Sequence, residues 1–383
     1  MSSREQHAEE RLKRLLDAAS EQNRNRWALQ WKERGKKVVG VFDQYVPREI
    51  ICAAGMLPWR VIGTQQASTP LAERYRPLNT CLYCNHVLES LLAGQLDFLE
   101  GAVFTDWDDD QRRLYDAFAY CGRLPFNRMV HLPHQDSELA YQHYMKGLAG
   151  LARELEQLSG VSVTDDALRK AIEVCNKTRR LLKRVYALRK KKVPPLSGAE
   201  VLALTTAAFV MPNHEFNQEL EALLPYLKTR RTSLKPVKPR LLVASDRLDN
   251  PTYLQLIEDV GCLVAMDDID TGSRYFWQMV ETESGSSPLY ALSKSYITQP
   301  ACPRMFFWER QVEQVIAWVK EYRCDGVLNF PQMYSFNRLF AAPYFKERLT
   351  EVGIPVATLL REYHLSGEGQ LRTRIGAFLE MLQ

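Results

Sequence analysis

Lys37-Val38-Val39-Gly40-Val41-Phe42, followed closely by Pro47-Arg48-Glu49-Ile50-Ile51-Cys52-Ala53-Ala54, is the stretch on which the fold turns. The short β-branched run predicts a strand, and a proline in the first turn of the next segment predicts a helix start. Strand, loop and helix form the repeating unit of a parallel sheet. The unit continues through Leu57-Pro58-Trp59-Arg60-Val61-Ile62-Gly63, a helix around 84–94 and the apolar run Gly101-Ala102-Val103-Phe104. A first α/β domain over 36–136 follows, preceded over 1–35 by a charged helical segment whose pattern stops at Gly35.

From Ser137 onward strand signals fade and helical periodicity persists, so 137–238 reads as a helical connector. The closely spaced prolines of Lys235-Pro236-Val237-Lys238-Pro239 mark its end. Alternation then resumes over 239–383. Arg240–Ser245, Gly261–Ala265, Asp325–Phe330 and Ile354–Leu360 are buried-strand candidates, with helices near 251–260, 308–322 and 341–352. The expected fold class is α/β: two doubly wound, Rossmann- or flavodoxin-like parallel-sheet domains with a helical connecting region. Ligands of such sheets bind beyond the carboxyl ends of the strands, which directs attention to the loops 245–250, 267–274 and 331–338.

The chain has 383 residues, 46% hydrophobic and 25% charged, the balance of an ordinary globular protein. Its 50 basic and 46 acidic side chains are spread along the whole length, which argues against a nucleic-acid surface. The densest basic run, Arg179–Lys192, places Leu181, Leu182, Val185 and Leu188 at helical spacing, and predicts an amphipathic helix with a solvated charged face. The first ten residues contain no apolar segment, and no window approaches the roughly 18 apolar residues of a membrane span, so a cytoplasmic protein is expected. No Gly-rich dinucleotide fingerprint, phosphate loop or nucleophile elbow is present.

Eight cysteines in such a chain are expected to be thiols or metal ligands, most of them small core residues such as Cys52 and Cys262. Cys81-Leu82-Tyr83-Cys84-Asn85-His86 alone has ligand-like spacing, near a helix start whose dipole favours thiolates; a metal or redox pair and an incidental pair are both open. Asp106-Trp107-Asp108-Asp109-Asp110 follows a strand and precedes a helix, so its carboxylates suit either cation or proton chemistry or helix capping. Asp267–Tyr275 mixes acids, hydroxyls and an arginine beside Gly272 after another strand, and reads either as an acyl or CoA contact or as a solvated turn.

Tyr45-Val46-Pro47-Arg48-Glu49-Ile50-Ile51-Cys52-Ala53-Ala54-Gly55-Met56-Leu57-Pro58 resembles the opening signature of the benzoyl-CoA reductase and 2-hydroxyacyl-CoA dehydratase subunits, closest to the C-type subunit of the reductase. Leu155–Gly160 followed by Thr164–Leu168, Thr271–Phe276 and Leu371–Ile375 extend the resemblance almost from end to end. It implies one subunit of an anaerobic heterodimeric enzyme whose homologous subunits each hold a 4Fe-4S cluster on three cysteines. An ATP-dependent activator donates electrons, and the substrate is an aromatic or 2-hydroxy acyl-CoA that is ring-reduced or dehydrated through a ketyl-type radical. Benzoyl-CoA-type reduction in aromatic degradation is the first expectation; dehydration, or a cluster-free scaffolding or regulatory subunit, are the alternatives.

Carried over residue by residue, the first cluster ligand falls on Cys81, the second on Asp108 and the third on the loop holding Tyr334 and Ser335. Two of three thiolates are therefore replaced by oxygen groups, which suit an iron-sulfur cluster poorly. The resemblance leaves three readings: Cys84 or Cys121 substitutes, with Asp108 as an oxygen ligand; the subunit holds no cluster beside a cluster-bearing partner; or the fold serves other chemistry. The candidate cofactor and metal residues are Cys81, Cys84 and Asp108.

Overall fold

The computed structural model of the protein describes residues 3–230, 239–282, 285–305 and 307–382. They contain two four-stranded sheets. The first comprises β1 (Val38–Val41), β2 (Leu57–Arg60), β3 (Gly101–Thr105) and β4 (Phe126–Val130) in the order β2-β1-β3-β4. The second comprises β5 (Arg240–Ala244), β6 (Leu263–Asp268), β7 (Gly326–Asn329) and β8 (Val356–Thr358) in the order β6-β5-β7-β8. All neighbours run parallel, so both sheets are doubly wound as expected. Strands β1, β2, β3, β5, β6 and β7 are buried along their whole length, as sheets covered by helices on both faces require.

The edge strand β4, Phe126-Asn127-Arg128-Met129-Val130, is not legible in the sequence. Four of its five residues are half-buried, so it has neither the apolar run of an inner strand nor clean alternation. The leading segment is two helices, Ser3–Asp17 and Arg26–Glu33, instead of one continuous helix, with Gly35 in the left-handed region (φ 72°) just beyond the second. The helix expected near 341–352 begins earlier, at Phe336. The proline-marked boundary at 235–238 lies outside the described residues.

Between the sheets' sequences run four helices: Glu138–Ser159, Asp165–Leu188, Gly198–Val210 and Asn213–Thr229. Gly198–Val210 is buried on every side and packs against both β2 and β6, joining the two sheets. A capping box between Ser197 and Glu200 starts it. Glycine is required at its first position because a Cβ there would lie 2.7 Å from Cβ of Val264 on β6. The basic run behaves differently from expectation. Arg179 and Arg189 are buried: Arg179 pairs with Glu49 at 2.7 Å, and Arg189 donates to the carbonyls of Leu196 and Ala265. Packing on two sides of the helix Asp165–Leu188 turned part of its charged face inward, where ion pairing and carbonyls satisfy it.

One excursion matters for the site. The helix Pro288–Thr298, although it lies between β6 and β7 in sequence, packs on Glu138–Ser159. With Val280, Cys302 and Met305 it belongs to the core beside the first sheet. The chain then returns through the short 3-10 turn Pro303–Met305 to the ends of the strands.

Candidate functional site

The carboxyl ends of the two sheets face each other. Arg60, at the end of β2, pairs with Asp270 beyond β6 at 2.9 Å. Arg247 beyond β5 donates to Gln111 beyond β3 at 2.9 Å, and its guanidinium lies over the rings of Tyr83 (4.1 Å) and Trp107 (4.8 Å). The Tyr363 hydroxyl beyond β8 accepts from the Gly63 amide at 2.9 Å. All three loops singled out from the sequence line this seam, and they are buried instead of solvated. Asp267–Tyr275 is therefore no solvated turn. Asp267 accepts from the Ser273 amide at 2.8 Å, and Asp268 pairs with Arg274 at 2.7 Å. A Cβ on Gly272 would fall 2.1 Å from Asp267 Oδ1, so the turn requires glycine.

Cys81 is the N-cap of the helix Leu82–Leu92, and Cys84 lies one turn in; both are buried. A hydrogen bond from Cys84 holds the Cys81 thiol below its ordinary range, whereas burial pushes Cys84 well above it. The Gln332 carboxamide reaches this helix start from the second sheet, with one terminal atom 3.6 Å from Cys81 Sγ. With its oxygen turned inward it accepts from the amides of Leu82 and Tyr83, both at 3.2 Å, which satisfies the first free N–H groups of the helix.

Asp108 caps the helix Asp109–Cys121, accepting from the Gln111 amide at 2.7 Å through Oδ1. Its Oδ2 is 2.5 Å from Nε of Arg304. The capping reading of the acidic cluster therefore holds for one oxygen, while the other has a cationic partner that no motif announced. Arg304 also donates through Nη1 to Asp246 at 3.2 Å and through Nη2 to Ser335 at 3.1 Å, with its guanidinium 4.6 Å from the Trp107 ring. Ser335 follows Tyr334, whose positive φ of 63° is costly for a residue bearing a Cβ and shapes the loop after β7. Burial opposes the charge on Asp246, but Arg304, backed by Arg338, Arg274 and Arg361, outweighs it and lowers its pKa. Arg304 remains charged because Asp108 and Asp246 overcome the effect of burial.

The remaining acids of the cluster have separate tasks. Asp110 accepts from Arg76 at 2.7 Å and from the Cys81 amide at 3.3 Å. Asp106 accepts from the Leu132 amide at 2.7 Å and contacts the His131 ring beside a cleft of about 600 Å³ that Arg112, His134 and His143 also line. Cys121 closes the helix that Asp108 opens, half-buried at the far end from the crevice. Among the described residues no group of three or more His, Cys, Asp or Glu side chains is arranged to hold a metal ion.

The family model described as 2-hydroxyglutaryl-CoA dehydratase, D-component, matches residues 44–382, which include both sheets and every loop of the crevice. The chain belongs to this family. Among similar proteins of the 2-hydroxyglutaryl-CoA dehydratase D-component family, the C-type subunit of benzoyl-CoA reductase from Thauera aromatica is 26% identical over 93% of this chain and 94% of its own length. The (R)-phenyllactyl-CoA dehydratase beta subunit of Clostridium sporogenes is 24% identical over 92% and 93%. The beta subunit of (R)-2-hydroxyglutaryl-CoA dehydratase from Acidaminococcus fermentans is 27% identical over 92% and 94%. For a chain of this family the fit of a four-iron cluster on three thiolates can be tested directly, and these residues do not fit it. Around the guanidinium stand one thiol, a carboxylate with both oxygens engaged and a hydroxyl.

Sequence reasoning missed Arg304 entirely, because nothing in Ala301-Cys302-Pro303-Arg304 signals a site. Asp246 and Arg247 fall within a loop that strand topology marks, although their roles in it are not foreseeable from it.

Proposed function

We propose that this chain is a subunit of a cytoplasmic CoA-thioester enzyme of benzoyl-CoA reductase type, working on an aromatic acyl-CoA beside a homologous subunit that carries the redox centre and an ATP-dependent activator that supplies electrons. The observation that supports the reading is the match over residues 44–382, which takes in the complete two-sheet frame whose carboxyl ends form the crevice. No electron step is assigned to this chain's own residues. Their part is to build and hold one wall of the assembly: the buried pairs Arg60–Asp270 and Arg304–Asp108 tie the two sheets into one body. Among the described residues no helix is long and apolar enough to cross a membrane.

Dehydration of a 2-hydroxyacyl-CoA is the second reading, favoured by the description of the family model and by relatives named as dehydratase beta subunits. The experiment is co-expression with the homologous subunit and activator, followed by anaerobic turnover of benzoyl-CoA and of (R)-phenyllactyl-CoA with and without this chain. Ring reduction that requires this chain supports the first reading, and dehydration that requires it supports the second. Equal turnover of both substrates in its absence would overturn both.

A further inference from the structure

We propose that the Arg304 guanidinium permanently occupies the place an iron-sulfur cluster would need in this chain, making it the cluster-free half of its assembly. The assignment of electron traffic to the other half rests on the function proposed above; the occupancy of the site does not.

The geometry supports it in three ways. The positions matched to cluster ligands do converge. Asp108 from the loop after β3 and Ser335 from the loop after β7 both bind one side chain, and Cys81 is among the groups that interact electrostatically with it. That side chain is a buried guanidinium, always charged, whose Nε, Nη1 and Nη2 each have an oxygen partner. It is thus a completed ion group, with Trp107 beneath it, and not a cavity awaiting a guest.

The groups around it are also committed elsewhere. Asp108 Oδ1 caps a helix, Asp246 Oδ2 accepts from the Gln332 amide at 3.3 Å, and Gln332 fills the helix start beside Cys81. A cluster needs anionic thiolates around it. Here a fixed cation stands in the centre and draws carboxylates to itself, so the charge of the site is inverted.

Substitution by Cys84 does not repair the set. Its side chain is fully buried in the apolar core of the first sheet, where burial favours the neutral thiol over the thiolate that iron requires.

The test measures iron, acid-labile sulfide and the electron paramagnetic resonance spectrum of the dithionite-reduced full chain. Each protein is purified anaerobically and measured before and after incubation with ferrous iron and sulfide. Wild type is expected to stay at background. The triple variant Asp108→Cys, Ser335→Cys, Arg304→Ala restores three thiols around a vacated centre, and is expected to rise to about four iron and four sulfide per chain with a reduced-cluster signal. The double variant Asp108→Cys, Ser335→Cys retains Arg304 and is expected to stay at background. The proposal is overturned by a wild-type cluster that Cys81→Ala abolishes, by cluster uptake in the double variant, or by a folded triple variant that remains iron-free. If the triple variant does not fold, the wild-type and double-variant results decide. Iron content is read on the isolated chain, so it can fail independently of the turnover assay that tests the complex.

Discussion

The two sheets share one strand order, β2-β1-β3-β4 and β6-β5-β7-β8, yet their carboxyl ends are lined with different chemistry. The first presents the thiol of Cys81 and the carboxylates of Asp43, Asp106, Asp108 and Asp110. The second brings Arg247, Arg274, Arg304, Arg338 and Arg361, none more than 5% exposed, together with its own Asp246, Asp268 and Asp270. In an isolated doubly wound sheet such an edge opens as a ligand crevice. Here each edge is the other's ligand, and two topologically equal halves close on one another through buried ion pairs. Topology provides the place, and the lining residues decide whether it stays open.

The sharpest way to break this comparison is Arg304→Leu, which removes the cation shared by Asp108 and Asp246. Leaving buried carboxylates unpaired is expected to cost about 3–5 kcal/mol in urea unfolding. A loss below about 1 kcal/mol would mean that this ion group does not join the halves. Next, Arg60→Met strips Asp270 of its 2.9 Å partner while Arg247 remains 3.7 Å away, so a smaller loss of about 2–3 kcal/mol is expected. The double variant Arg60→Met, Asp270→Leu should recover much of it. A double variant as unstable as the single would show that the pair is not what the substitution breaks.

A pH measurement separates ionic closure from simple burial. Burial, with His364 facing it, pulls the His86 imidazole down from 6.5 to about 4. The unfolded chain therefore gains this proton below about pH 6.5 and the folded chain only near pH 4. The contribution is fully present above that window and is lost as pH falls through it. Asp246, whose pKa is lowered, contributes in the same direction, but only where ordinary carboxylates protonate, around pH 4 and below. The stability difference between wild type and His86→Gln should thus change by on the order of 2 kcal/mol between pH 7 and pH 4. A difference independent of pH would assign His86 no titrating role.

The smallest effect belongs to the solvent side of the first edge. Arg113 and Asp116 pair at 2.7 Å with more than half of each side chain exposed, so Arg113→Ala is expected to change stability by under about 0.5 kcal/mol. A loss comparable to that of Arg304→Leu would erase the distinction between buried and exposed pairs on which the comparison stands.

How far the site could be read in advance follows from the same contrast. The capping role of Asp108, the helix start at Cys81 and the importance of the loops after β5, β6 and β7 all rest on neighbours within a few residues, and local sequence shows them. Arg304 meets Asp108 across 196 residues, Asp246 across 58 and Ser335 across 31, and no periodicity reports such encounters. Arg179 illustrates the same limit in the opposite sense: a charge run looks solvated until Glu49, 130 positions away, is brought to 2.7 Å. The edge strand β4 escaped because an edge needs no apolar run.

By itself, the sequence determined two parallel-sheet halves, the helical stretch between them and membership in a family of acyl-CoA dehydratase and reductase subunits, because apolar runs and turn residues act locally and a family signature is a linear pattern. Only the tertiary structure decided that the two carboxyl edges meet, and that the segment around Pro303–Met305 crosses back to set a guanidinium among Asp108, Asp246 and Ser335. The reason is physical: a buried charge must find its counter-charge wherever the packed chain brings one, and that partner is chosen by distance in space, which the order of residues does not encode.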